Sequence, residues 1–286
     1  MIKESAVHRE NKRVVITPHQ GFADFFNQKA IFDFYIKKYD FVTIIVSDVS
    51  RMTMLKALFK KNSNVLIKIP KFNKFTNIFS KTKATCIICH TSSHGIICGR
   101  RFISPCIYVN YSDFTDYLNI KIGAFSNFTD WEAFRYKKEN ISFAHAFYLY
   151  AGLNVDLRIL NFKITRNYSL EKLFFAKFIK LEKYILVHQD LQRGLVIGDA
   201  LRKVSRCCSE VIYIDKLSEY MIDTVRAFEL AEESHLIDSS YSVLIYLLSF
   251  HNKKIMKIPK YLHLLNRSER DVNIYKNPIA PNWYFC

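Results

Sequence analysis

The sequence predicts an α/β protein made of two similar halves, each a parallel sheet covered by helices. Three observations lead there. Short, wholly apolar runs alternate with longer segments of helical periodicity, the pattern of buried parallel strands and their crossover helices. Strand-to-helix units recur on both sides of a poorly periodic stretch near residues 156–170. Half of the 286 residues are apolar, enough to bury a large core in one large domain or two ordinary ones.

Residues 14–17 (VVIT) read as the first strand, and a helix over 24–38 places Phe25, Ala30, Ile31 and Phe34 near helical spacing. Between them lie Pro18, His19, Gln20 and Gly21. A strand, a small-residue turn and a helix start can hold an anion on backbone N–H groups. Residues 41–46 (FVTIIV) form the next strand, 52–60 a short helical segment, and 65–69 and 85–89 two further strands. Few periodic signals occur over 100–135. A helix over 139–153 closes at Gly152 or Asn154, and a linker over 156–166 contains Arg158 and Arg166. Strands then recur at 184–187, 211–214 and 235–237, with a helix over 221–232 before the last of them. A strongly apolar helix over 241–250, a last strand over 255–258 and a polar tail complete the chain.

Two clusters carry candidate chemistry. The apolar run 184–187 stops at His188, Gln189 and Asp190, and Arg193-Gly194 follows at once. An imidazole, a carboxylate and a guanidinium thus reach the carboxyl end of a core strand, where open α/β sheets bind ligands. Arginine matches a phosphate or diphosphate through two parallel hydrogen bonds. The same residues also suit a polar loop in which Asp190 caps a turn and pairs with Arg193. The second cluster, His235-Leu-Ile-Asp238-Ser239-Ser240, ends a strand and opens a helix. Asp and Ser are natural N-caps there, and hydroxyls with free N–H groups also make a phosphate site.

Cys86, Cys89, His90, His94 and Cys98 come within one residue of a zinc-knuckle spacing. Cys86 and Cys89 would point to opposite faces of their strand, so neither metal nor haem is expected there. The formal charge of +16 attracts anions, although the 42 Lys and Arg are spread along the chain as a solvated surface would have them. Seven irregularly spaced cysteines suggest reduced thiols and a cytosolic protein. The charged N-terminus lacks a signal-peptide core, and the apolar run 243–248 falls well short of the roughly 20 residues of a membrane span. No Gly-x-Gly-x-x-Gly occurs, which excludes a nucleotide-sugar epimerase or dehydrogenase of the usual kind.

These residues resemble a known family. His19-x-Gly21-x-x-Asp24 after a first strand looks like the opening of heptosyltransferase-like GT-B glycosyltransferases. His188-Gln-Asp190-x-x-Arg193-Gly194 and His235-Leu-Ile-Asp238-Ser239-Ser240 are similar, in the same order, to segments of small viral and bacterial members, and Trp283 matches a tryptophan near their C-terminus. The resemblance implies a GT-B fold of two Rossmann-like domains facing across a cleft. It assigns 1–160 to the acceptor and 161–275 to the nucleotide-sugar donor, with 276–286 a tail packing back on the N-terminal domain. It also implies an inverting, metal-independent transfer, with no cofactor beyond the donor co-substrate, onto a glycan hydroxyl in the cytosol, the host's if viral.

Carried over, Asp24 is the base, and His19 and Gly21 shape its loop. Arg193 and the Ser239-Ser240 helix start hold the donor diphosphate, with His188 and Asp190 near the sugar or ribose and Gly194, His235 and Asp238 in the same two segments. Ala23 replaces the family's second glycine, and the choice between His19 and Asp24 as base stays open. UDP-xylose, GDP-fucose and ADP-heptose-like donors fit, UDP-xylose being preferred. The absence of an Asp-x-Asp motif weighs against a Mn²⁺-dependent GT-A enzyme. The rival reading is a non-catalytic basic protein binding nucleic acid on an α/β scaffold. With no RNA-binding consensus and no clustered basic helix face, nucleic acid is not the expected partner.

Overall fold

A computed structural model of the chain describes residues 10–19, 21–46, 48–69, 84–86, 108–110, 117–121, 143–180, 182–191, 194–198, 210–214, 221–265 and 278–286. The chain divides into two compact units, Met1–Arg158 and Ile159–Cys286. Both are α/β.

The N-terminal unit begins with β1 (Glu10–Thr17), α1 (Phe22–Asn27), α2 (Lys29–Lys38), β2 (Tyr39–Ile45), α3 (Val49–Leu58) and β3 (Val65–Lys68). β4 (Ala84–Cys86) and β5 (Tyr108–Asn110) form a separate antiparallel pair, and β6 (Tyr117–Lys121) and α4 (Phe143–Tyr150) follow. The main sheet is parallel, in the order β3-β2-β1-β6. Val14, Val15 and Ile16 of β1 are wholly buried, which is why that strand reads as a continuous apolar run. Asp48 caps α3 by accepting from the Arg51 N–H at 3.0 Å. Gly152, at φ 66°, ends α4: the Leu153 N–H reaches the Tyr148 carbonyl at 2.9 Å in a Schellman closure.

α5 (Leu157–Leu160) spans the boundary of the units. Then come α6 (Tyr168–Phe178), β7 (Tyr184–His188), β8 (Glu210–Ile214), a 3₁₀ turn (Met221–Thr224), α7 (Val225–Leu230), β9 (Glu233–Ile237), α8 (Ser240–Leu248), α9 (Lys253–Lys257), β10 (Lys260–His263) and β11 (Trp283–Phe285). The sheet is parallel throughout, ordered β11-β10-β9-β7-β8. Numbered from its own first strand, this is the doubly wound order 2-1-3-4-5.

Several elements differ from the sequence expectation. The helix expected over 24–38 is two, interrupted at Gln28, whose side-chain amide donates to the Asp24 carbonyl at 3.0 Å. The segment 156–166 is no bare linker. It contains α5, and Arg158 is buried, donating to Asn27 Oδ1 at 3.0 Å. The last strand is not 255–258. Asn252 accepts from the Lys254 and Ile255 N–H groups and starts α9 instead, with Ile255 and Ile258 buried at helical spacing.

The C-terminal tail, expected to pack back on the N-terminal domain, contributes a strand to the C-terminal unit. Trp283, Tyr284 and Phe285 pair with Lys260, Tyr261 and Leu262 to extend the sheet of the C-terminal unit. Trp283 is buried against Tyr246 and donates to Ser249 Oγ at 3.1 Å. An apolar ring with one N–H is held where both halves find partners. Of the expected strand over 85–89 only Ala84–Cys86 is described, and His90, His94 and Cys98 lie outside the described residues.

Candidate functional site

Open parallel sheets bind ligands outside the carboxyl ends of their strands, at the point where successive crossovers leave in opposite directions. Each unit has such a point. In the N-terminal unit it is the end of β1, which lies between β2 and β6. In the C-terminal unit it is the end of β7, which lies between β8 and β9.

The end of β1 leads into Pro18, His19 and the start of α1. His19 Nδ1 lies 2.7 Å from Asp24 Oδ2, and both side chains are partly buried. Because an ionised carboxylate only accepts, Nδ1 carries the proton in this contact. Gln28, completely buried, clamps the loop: its Oε1 accepts from the His19 N–H at 3.1 Å, and its Nε2 donates to the His19 carbonyl at 3.2 Å. The His19 ring also packs against Phe147, centroids 5.6 Å apart.

Gly21 matters here through close approach. Its backbone is ordinary extended chain, φ −70° and ψ 140°, so any residue could adopt it. A Cβ at this position, however, would sit 2.2 Å from Asp24 Oδ2 and 3.1 Å from Asp24 Cγ. The carboxylate can fold back over the helix start and meet His19 only because position 21 has no side chain.

At the end of β7, His188 is buried and its Nδ1–H donates to the Ile214 carbonyl at 2.9 Å. That bond fixes the tautomer with Nε2 as the acceptor nitrogen of the neutral ring. The ring packs against Tyr241 in the first turn of α8, 4.5 Å between centroids. Gln189 is 8% exposed, and its Oε1 is buried with no hydrogen-bond partner among the described residues. Asp190 and Leu195 exchange backbone bonds of 2.8 and 2.9 Å, closing a narrow loop. Gly194 sits in that loop at φ 67°, a conformation that favours glycine. Arg193 lies outside the described residues.

β9 ends beside β7 and delivers Asp238, Ser239 and Ser240 to the same switch point. Ser239 is the N-cap of α8 in a reciprocal capping box: its Oγ accepts from the Ser242 N–H at 3.4 Å, and its own N–H donates to Ser242 Oγ at 2.8 Å. The hydroxyl is thus used in starting the helix.

His235 does not join this group. It lies two residues before the end of β9, wholly buried, with Nδ1 2.9 Å from His263 Nε2 and Nε2 3.2 Å from Glu233 Oε1. It stacks on Tyr261, which stacks in turn on Tyr284, so His235 belongs to a ladder across β9, β10 and β11. Burial holds the His235 pKa below its ordinary value and, with the neighbouring His235, pushes that of His263 down to about 4.

Sequence reasoning missed Gln28 and Tyr241, and it named Gln189 without giving it a role. Gln28 follows Asp24 by one helical turn on a face of buried residues, and that spacing was its only sequence signal. Among the described residues no three His, Cys, Asp or Glu side chains converge as a metal site would require, and no helix is long and apolar enough to cross a membrane.

No protein-family model matches the sequence, and no curated protein matches it. Among solved structures the chain is similar to a glycosyl transferase family 9 protein from Veillonella parvula DSM 2008. The two are 9% identical with a TM-score of 0.49, over 99% of this chain and 88% of that one.

Proposed function

We propose that the chain is a glycosyltransferase moving a sugar from a nucleoside-diphosphate sugar to a glycan hydroxyl, inverting and independent of metal. The observation that supports it most is the position of the motifs. The three that carry the family resemblance fall beside the carboxyl ends of β1, β7 and β9, the ends outside which open parallel sheets generally bind ligands.

In this reading the C-terminal unit holds the donor. As the bond from the anomeric carbon to the diphosphate breaks, negative charge grows on the leaving oxygen. The Arg193 guanidinium and the N–H groups opening α8 at Ser239-Ser240 stabilise that charge. His188, through Nε2, and Gln189, through its unpartnered Oε1, accept from sugar or ribose hydroxyls. Asp190, Gly194 and Asp238 shape the walls. The acceptor oxygen attacks the opposite face of the sugar while its proton passes to the Asp24 carboxylate, which His19 holds in place. UDP-xylose is the preferred donor, ahead of GDP-fucose and ADP-heptose-like sugars.

Thermal shift against UDP, GDP and ADP tests the class. One diphosphate should stabilise selectively, by about 2.7 kcal/mol at a hundredfold excess over Kd, and Arg193→Ala should weaken it. Asp24→Asn should abolish transfer and leave donor affinity intact. A chain that none of the three stabilises is not this enzyme, and equal loss of transfer and donor affinity in Asp24→Asn removes the residue from the role of base.

A further inference from the structure

The C-terminal unit carries a second feature that the reading above does not use. An open cavity of about 620 Å³ is lined by Phe162, Lys163, Arg166, Tyr168, Arg226, Glu229 and residues 248 and 251–254. It lies beyond the last turn of α8, whereas the switch point lies at that helix's start. Nine helical residues separate the two ends by about 12 Å.

The charges of this cavity are unevenly answered. Arg166 donates two hydrogen bonds to the wholly buried Glu171 and two more to Glu229, and Asn252 donates to Glu229 at 2.7 Å. Burial alone would push Glu229 up, but the bonds from Arg166 and Asn252 outweigh it and hold its pKa low. Both carboxylates are therefore occupied. Lys163, Arg226, Lys253 and Lys254 remain, and none makes an ion pair with a described residue. The Arg226 guanidinium lies over the Phe175 ring at 5.6 Å, and its Nε is buried with no hydrogen-bond partner among the described residues.

Four like charges around one opening raise the local positive potential. An anion in the cavity relieves that repulsion. We propose that this cavity binds a small phosphate- or diphosphate-bearing molecule, held by the positive charges of Arg226, Lys163, Lys253 and Lys254 that line it. Its volume exceeds what a bare anion needs and suits a compound of nucleotide or sugar-phosphate size. Tyr168 offers an exposed ring at the mouth, held by the Arg166 guanidinium 4.8 Å from its centroid. The site does not depend on the glycosyl-transfer reading.

Calorimetric titration of the full chain with inorganic pyrophosphate at about 0.15 M salt, where the Debye length is about 8 Å, tests it. Saturable binding should weaken about tenfold or more in Arg226→Gln, while Arg193→Ala should leave that component unchanged. The Lys253→Gln/Lys254→Gln double variant alters exposed side chains only and should weaken it in the same direction, so the test survives if Arg226→Gln misfolds. Unchanged affinity in the double variant and in a folded Arg226→Gln chain overturns the site. So does binding that is non-saturable or is lost to Arg193→Ala alone.

Discussion

Gly21 shows how one missing methyl group can organise a site. The Asp24 carboxylate occupies the space a Cβ would need, and the His19–Asp24 contact depends on that occupancy. Gly21→Ala should therefore leave the fold intact, because the backbone there is extended, yet turn the carboxylate away from His19. If the proposed reading holds, the expected result is an unchanged circular dichroism spectrum with transfer reduced about a hundredfold, within the range usual for a displaced acid–base group. An alanine variant with full activity would show that the contact is dispensable. Glycine at 21 was legible as a turn residue, but its reason was not: the crowding comes from a side chain three positions on, folded back over a helix start.

Single elements were read well where burial matched composition and badly where it did not. Strands β1, β2 and β7 are buried and apolar, so their residues announce them. β10 hides because it opens with Lys260 and ends with His263, both almost wholly buried. Lys260 Nζ donates to the Ile255 and Ile258 carbonyls at 2.6 and 2.5 Å, satisfying the end of α9, and burial lowers its pKa to about 8. β11 hides because three residues carry no period. Trp283 nevertheless anchors that strand, and Trp283→Ala should destabilise the C-terminal unit by about 3–5 kcal/mol, as removal of a buried aromatic ring does. Chemical unfolding followed by amide exchange in β10 and β11 checks this. A change under about 1 kcal/mol would mean that the strand is held by its backbone bonds alone.

For the molecule as a whole, the buried His235–His263 pair works against stability in acid. His263 has a pKa near 4 in the folded chain, against an ordinary value of 6.5. The folded state thus binds fewer protons than the unfolded state between these values. Stability present above pH 6.5 is lost as pH falls toward 4, by up to about 3 kcal/mol. Asp223 acts oppositely: burial and Glu171 raise its pKa to about 6, so its contribution improves as pH falls through that value. The informative measurement is the difference between wild type and His263→Gln at pH 7 and pH 4.5, followed by Trp283 fluorescence in a Trp131→Phe background. The variant should lose less stability on acidification, and parallel pH profiles would clear the histidine pair of this role. The charge of +16 is not one undifferentiated surface, since Lys29, Arg158, Arg166 and Lys260 are spent inside the fold on carboxylates, an amide and helix carbonyls.

By itself the sequence determined the fold class of the protein: apolar runs of strand length with helices between them required parallel sheets, and the polar clusters after β7 and β9 fell at strand ends. These are local properties, written in the spacing of neighbouring residues. Only the tertiary structure decided which strands adjoin, and hence that β7 lies between β8 and β9 and β1 between β2 and β6. It separated His235 from His188, although both sit in motifs of the same kind, because a position two residues short of a strand's end faces its neighbours in the sheet rather than the crevice. It also enlisted Gln28 and the final residues 283–285, whose partners lie 9 and about 20 residues away or more along the chain. Pairings over such distances leave no periodic trace, and only packing selects them.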